Sequence, residues 1–393
     1  MKFIPRSWWL RAPLLLIAIV AVGGGFLVAS TWVATGTSAR GDRLLRMEAS
    51  PNYRDGQFRN ALPMVEPKIF KTIAEYVRGA SNTTPKQPLP VLPRAATDFA
   101  GPPASGLRTT WLGHSTTLVE IDGSRLLLDP VWAPRSSPMS WAGPRRFFEP
   151  PLALEDLPEL DAVLISHDHF DHLDMEAVRR LSDRGNAFIV PLGVGAHLEY
   201  WGVPGNKITE LDWWDEAQVG SLTVTATPAR HFSGRSLVMA DRNSTLWTGF
   251  AIAGTVHRLY YSGDTGMFDG FPEIGHRLGP FDAALVEVGA YNHMWADFHL
   301  GPEQAVAAAR QVGAGLLIPV HWGTFELALH AWTEPVERLI VAAQPKALPL
   351  AIPRPGESVD IAAPPSLVRW WPDLPWRTAE EDPIVSSGLA QTQ

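Results

Sequence analysis

Apolar residues fall along this chain in three regimes. No side chain from Ala12 to Ala39 is charged, and Leu14 to Val20 is an unbroken apolar run preceded by Lys2, Arg6 and Arg11. A bilayer core takes ~20 mostly apolar residues, whereas the apolar region of a cleaved export signal is ~7–15 residues long. Length favours a membrane anchor or signal helix over residues 1–40, with the anchor ahead and cleavage near Ala29, Ser30 or Ala34 as the competing reading. Arg40, Arg43 and Arg46 follow the span and balance the basic residues before it, so loop charge orients it weakly, and an extracytoplasmic body is the expectation.

The second regime, residues 41–105, shows little strand or helix periodicity. Pro85, Pro88, Pro90, Pro93, Pro102 and Pro103 punctuate its second half, which reads as a linker or arm laid over the domain. One short helix is expected between Lys68 and Val77. In the third regime, 106–365, short apolar runs bounded by turn residues alternate with amphipathic stretches. The predicted strands are Thr116 to Ile121, Arg125 to Leu128, Ala162 to Ile165, Ala187 to Val190, Leu222 to Ala226, Thr248 to Ala253, Arg258 to Tyr261, Ala283 to Val288 and Leu316 to Val320. Helices are predicted at Met175 to Ser182, Pro302 to Val312 and Glu334 to Ala342, the second opened by Gly-Pro-Glu. Antiparallel-looking pairs early and strand–helix alternation late predict an α/β domain of two sheets with outer helices. The tail, 366–393, ends in polar residues.

Composition narrows the chemistry. Hydrophobic residues make up 46% and charged residues 19%, so a disordered chain is excluded. The net charge of −8 without a basic run argues against nucleic acid as a partner. There is no cysteine, which removes disulfides, thiolate metal sites and thiol nucleophiles together. Any metal here must be held by histidine and carboxylate.

The strand-like Ala162 to Ile165 runs out into Ser166-His167-Asp168-His169-Phe170-Asp171-His172-Leu173-Asp174. Three His and three Asp in eight residues, just ahead of a helix, would be costly without cations to share. Their alternation suits two metal ions in one pocket. One loop cannot fill a dinuclear centre, and three more candidates stand at strand ends: His231, Asp264 in the Ser-Gly-Asp-Thr-Gly turn, and His321. Each alone would more often be a cap or a surface group; beside the histidine-rich loop they become ligand candidates. The histidines at 197, 257, 276 and 330 are assigned structural roles.

These motifs resemble the metallo-β-lactamase superfamily, whose His-x-His-x-Asp-His signature is His167, His169, Asp171 and His172 here. Within it, the chain is most similar to the N-acyl-phosphatidylethanolamine-hydrolysing phospholipase D family. Further shared stretches are Trp111 to His114, Leu128 to Pro130, Gly143 to Phe147, Leu211 to Trp214, Gly263 to Gly266, Gly289 to Tyr291 and His321 to Phe325. The resemblance implies an αββα sandwich and two divalent metal ions, Zn²⁺ first, with Fe or Mn compatible with the same donors. It implies one site at His167, His169 and His231, a second at Asp171, His172 and His321, Asp264 bridging, and His114 and His299 near substrate or behind the ligands.

The implied function is a metal-dependent hydrolase, a phospholipase D-type phosphodiesterase acting on N-acyl-phosphatidylethanolamine or a related phospholipid. A metal-bridged hydroxide would attack phosphorus, with Asp171 orienting it and shuttling its proton. Two alternatives remain: a lactonase or small-molecule phosphodiesterase of the same superfamily, and a membrane-tethered binding protein with a vestigial pocket. The run Asn292 to Phe298 departs from the family pattern, so pocket specificity is open there. Trp132, Trp141, Phe147 and Phe148 read either as an acyl-chain or headgroup surface or as core.

Overall fold

The computed structural model describes residues 15–16, 22–25, 28 and 31–389. Most of the predicted anchor therefore lies outside the described residues. Among the described residues no helix is long and apolar enough to cross a membrane.

The arm is more structured than its proline content suggested. It begins with α1 (Asp42–Glu48) and a hairpin of β1 (Tyr53–Arg54) and β2 (Gln57–Phe58), whose Met47 and Phe58 are buried against Leu246 and Trp247. Helix α2 (Ile69–Arg78) follows, close to its predicted place.

The domain proper is a sandwich. One sheet has the order β15-β3-β4-β5-β6-β7-β8, built from β3 (Leu107–Gly113), β4 (Thr116–Ile121), β5 (Ser124–Leu128), β6 (Ala162–Leu164), β7 (Phe188–Pro191), β8 (Ile208–Leu211) and β15 (Ser358–Asp360). The other runs β14-β13-β12-β11-β10-β9, from β9 (Glu216–Val219), β10 (Leu222–Thr227), β11 (Gly249–Ala253), β12 (Arg258–Tyr261), β13 (Ala283–Glu287) and β14 (Leu317–Val320). Val119, Leu126 and Leu164 of the first sheet share one core with Val224, Phe250 and Ile252 of the second. Outside, α3 (Met175–Asp183) and α4 (Gly195–Tyr200) cover the first sheet, while α5 (Phe271–Leu278), α6 (Pro302–Gln311) and α7 (Glu334–Ala343) cover the second.

Strand direction explains where the chemistry gathers. β3 and β5 each pair antiparallel with β4, and β5 pairs parallel with β6, so β3, β5 and β6 run the same way. In the other sheet β10 and β12 flank β11 antiparallel, and β12, β13 and β14 are parallel. The carboxyl ends of these strands deliver His114, Asp129, the 166–174 loop, His231, Asp264, Glu287 and His321 to one edge. Side chains on loops held by such a scaffold can converge without breaking the core.

Candidate metal centre

Local backbone geometry aims the side chains inward. His114, Asp129 and His321 all have positive φ (53°, 39° and 62°), a conformation costing on the order of 1–3 kcal/mol for a residue with a Cβ. Gly263 has φ 57°, and a Cβ there would stand 2.5 Å from the Thr248 carbonyl, so only glycine lets the turn carry Asp264 in.

Three groups of donors result: two built around the histidine loop, and a third of Asp264, Glu287, His299 and His321 that shares residues with them. In the first, His167 Nε2 is 2.8 Å from His169 Nδ1, which is 3.3 Å from His231 Nε2, and Asp264 completes the group. In the second, Asp171 Oδ2 lies 3.6 Å from His172 Nε2, 3.4 Å from His321 Nε2 and 2.9 Å from His114 Nε2. Asp264 Oδ2 stands between them, 3.0 Å from His321, 3.2 Å from His172 and 3.8 Å from both His167 and His231. His172 Nε2, His321 Nε2 and Asp264 Oδ1 are buried and have no hydrogen-bond partner. Polar atoms so placed are expensive unless something binds them, and neutral imidazoles facing carboxylates are what a divalent ion accepts. The residues present fit a pair of metal ions.

A second layer fixes the rings, and most of it was not picked out from sequence. Asp129 accepts from the Ser166 amide (2.7 Å) and hydroxyl (2.6 Å), from the Tyr261 hydroxyl, and from His172 Nδ1 (2.6 Å). Nδ1 of His172 is thus the donor, and Nε2 is left to ligate. His231 Nδ1 donates to the Phe298 carbonyl at 2.8 Å, and Asn60, from the arm, grips the His231 backbone through both its N–H and C=O. Asp168 is fully buried, 3.4 Å from His197 Nε2, and accepts from the Gly234 amide and the Thr245 hydroxyl; it braces the loop and does not enter either cluster. His257, paired with Asp122, and His330, stacked on Tyr291, are likewise outside the clusters. Asp129→Asn is expected to weaken metal affinity by about 10–100-fold, measured by competition with a chelating dye.

The two outer histidines differ. His114 is buried; its pKa is pushed down to about 3 by burial and by the adjacent His321, so it is neutral at pH 7 and supports Asp171 through Nε2. His299 Nδ1 is held by Glu287 Oε2 at 2.7 Å, and the ring lines a cavity of about 330 Å³ that also exposes His169, Asp171, Asp264 and His321. The rest of that cavity is largely apolar: Phe232, Trp295, Phe298, Leu327 and Tyr76. Its wall includes part of the 292–298 run. Trp132, Trp141, Phe147 and Phe148 are not among its lining residues. Phe148 is buried, Trp132 donates to the Leu152 carbonyl, Phe147 packs on the main core, and only Trp141 is well exposed.

Protonation follows from the same geometry. Burial alone would lower His172 and His321, but Asp264 and its neighbours override it, raising His172 well above its ordinary value and His321 to about 10. Both therefore carry a proton at pH 7 without metal, and a ligating imidazole must lose it. Metal loading at pH 7 is expected to release about two protons, and affinity should rise with pH. Calorimetry in buffers of different ionisation enthalpy checks this; buffer-independent heats would contradict it.

Residues 124–322 match the Beta-lactamase superfamily domain. That is half of the chain, and it spans the histidine loop, His231, Asp264 and His321. The chain belongs to the metallo-β-lactamase superfamily. A metallo-β-lactamase domain of this kind makes it a metal-dependent hydrolase. It is 40% identical to N-acyl-phosphatidylethanolamine-hydrolyzing phospholipase D 1 of Caenorhabditis elegans over 64% of this chain and 73% of that protein. It is 47% identical to an uncharacterized protein of Mycobacterium tuberculosis over 90% of this chain and 98% of the relative. The structure of an isothiocyanate hydrolase from Delia radicum gut bacteria shares the fold, at 20% identity and TM-score 0.52, over 64% of this chain and 98% of that one.

Proposed function

We propose that this protein is a phospholipase D-type phosphodiesterase acting on N-acyl-phosphatidylethanolamine or a closely related phospholipid. The observation that carries the reading is the shape of the cavity: the carboxylates and imidazoles of both clusters open directly onto the apolar wall of Phe232, Trp295, Phe298 and Leu327. A phosphodiester can reach the polar end while an acyl chain lies along the wall. The similarity to phospholipases named for this substrate supports the same choice.

His167, His169 and His231 would hold one divalent ion, Asp171, His172 and His321 a second, with Asp264 shared. Bound there, two Zn²⁺-type ions would polarise the phosphoryl group and activate water. The chain's own residues supply the proton handling. Asp171 Oδ2, backed by His114 Nε2, stays ionised: burial would raise its pKa, but His172, His114 and His321 hold it well below the usual carboxylate range. Ionised, it would orient the attacking water by accepting its hydrogen bond and lead the departing proton away. His299, fixed at Nδ1 by Glu287, would pass on to the departing alcohol oxygen the proton taken from the water. Water adds to phosphorus, the bond from phosphorus to the headgroup oxygen breaks, and phosphatidic acid and an N-acylethanolamine leave.

The apolar composition of residues 12–39 supports tethering near a membrane. Metal-loaded full-length protein mixed with micellar N-acyl-phosphatidylethanolamine should yield both products and stop on chelation. A metal-loaded protein giving neither product would move the substrate to a lactone or smaller phosphodiester.

A further inference from the structure

Helix α2 buries none of its residues. Ile69, Phe70, Ile73 and Val77 are 64%, 86%, 51% and 82% exposed. At 3.6 residues per turn these four fall within about 100° of arc, an apolar stripe of the kind amphipathic helices normally turn to a core. Here it faces outward. The adjoining arc carries Thr72 and Tyr76, which line the metal-bearing cavity, and the far arc carries the exposed cations Lys68, Lys71 and Arg78.

A second apolar element stands on the same rim. The loop Leu237-Val238-Met239 is exposed, Val238 at 82%, and its neighbour Arg242 pairs at 2.7 Å with Glu66, just ahead of α2. Arg242 also lies over the rings of Phe232 and Phe298 in the cavity wall. The loop's other end is Arg235, whose guanidinium donates to the Ala34 carbonyl. Residues 31–39, the described end of the uncharged stretch, thus meet the body of the protein beside this loop, with Trp32 exposed nearby.

We propose that α2 and the 237–239 loop form the surface on which the catalytic domain lies against a lipid bilayer, with the cavity mouth turned to the headgroups. Three observations select lipid as the occupant. The apolar stripe is backed on the opposite arc by Lys68 and Lys71, the division of apolar and basic faces found in helices that lie in an anionic interface. Residues 31–39, which follow the apolar run in the sequence, meet the same rim through Ala34. Thr72 and Tyr76 join the stripe to the cavity, so a lipid lifted from the interface passes along one continuous wall. The orientation rests on the phospholipid reading for its purpose, but its test does not.

The chain has no native cysteine, so single cysteines can carry nitroxide labels on the full-length protein. Phe70→Cys, Val77→Cys and Val238→Cys probe the rim. Val256→Cys is the reference, in the turn between β11 and β12 at the opposite edge of the sandwich, where Val256 is 74% exposed. After reconstitution into phosphatidylcholine–phosphatidylglycerol vesicles, the rim labels should be at least about threefold less accessible to an aqueous nickel chelate than the label at 256, and more accessible to oxygen. Equal aqueous accessibility at all four positions would overturn the proposal. So would strong dipolar coupling between labels at 70 in lipid-free protein, because a second copy of the chain would then cover the helix. Failure of the phospholipase reading would leave this pattern unchanged and would appear only in the product assay.

Discussion

Asp264→Ala should abolish turnover, by about a thousandfold or more, and should also cost the protein bound metal. Among the described residues, no other side chain lies within 3.8 Å of histidines from both clusters through one oxygen. Burial would raise its pKa, but His172 and His321 hold it well below the usual carboxylate range, so it carries negative charge at every working pH. Removing it takes away the anion that offsets two cations in a buried site, and the loss falls on affinity as well as rate. Metal content by elemental analysis and turnover of the same preparation should fall together. Full activity in an Asp264→Ala protein that retains both ions would exclude a shared carboxylate.

Asp171→Asn should separate metal retention from chemistry. The amide keeps the shape of the carboxylate and can still meet His114 Nε2, so the fold and a large part of the metal should remain. An amide does not take up a proton at neutral pH, and turnover is expected to drop by about 10²–10⁴-fold. Because Asp171 is ionised far below neutrality in the wild type, loss of activity on acidification should follow protonation of the imidazoles and release of metal. The acid limb should therefore shift to lower pH as free metal is raised. A limb insensitive to metal concentration would contradict this order of events.

Much of this architecture is legible in the chain because its strands are short, apolar and bounded by turn residues. The histidine loop is legible because so many titratable groups in eight positions have no cheap explanation. β3 and α4 were also missed, and several of the other missed elements have physical reasons. β8, β9 and β15 are short and of mixed polarity, lying at or next to sheet edges where one side need not be apolar. Helix α5 carries Pro272 and Gly275, residues that interrupt a helical pattern; yet a Cβ on Gly275 would stand 2.3 Å from the Gln311 carbonyl, so glycine there permits close packing against the end of α6. α1 and the β1–β2 hairpin, ahead of the proline-rich stretch, are too short to show a period, yet they bury Met47 and Phe58 on the domain.

The inner ligand candidates could be named from sequence, whereas their supports could not. Asp129 and Glu287 are single carboxylates at strand ends, with no spacing to mark them, although Leu128-Asp129-Pro130 lay within a stretch shared with the family. Asn60 reaches His231 across a sequence separation of 171 residues. The aromatic wall was missed for the same reason: Phe232, Trp295 and Phe298 come together only through the fold, while the conspicuous cluster near 132–148 is mostly packing.

The central claim is that this site hydrolyses a phosphodiester at phosphorus. Turnover of N-acyl-phosphatidylethanolamine in ¹⁸O-labelled water tests it most directly. One labelled oxygen in phosphatidic acid, and none in the N-acylethanolamine, is the expected result. Label in the alcohol, or label appearing only in a freed carboxylate, would place the attack at carbon and contradict the account.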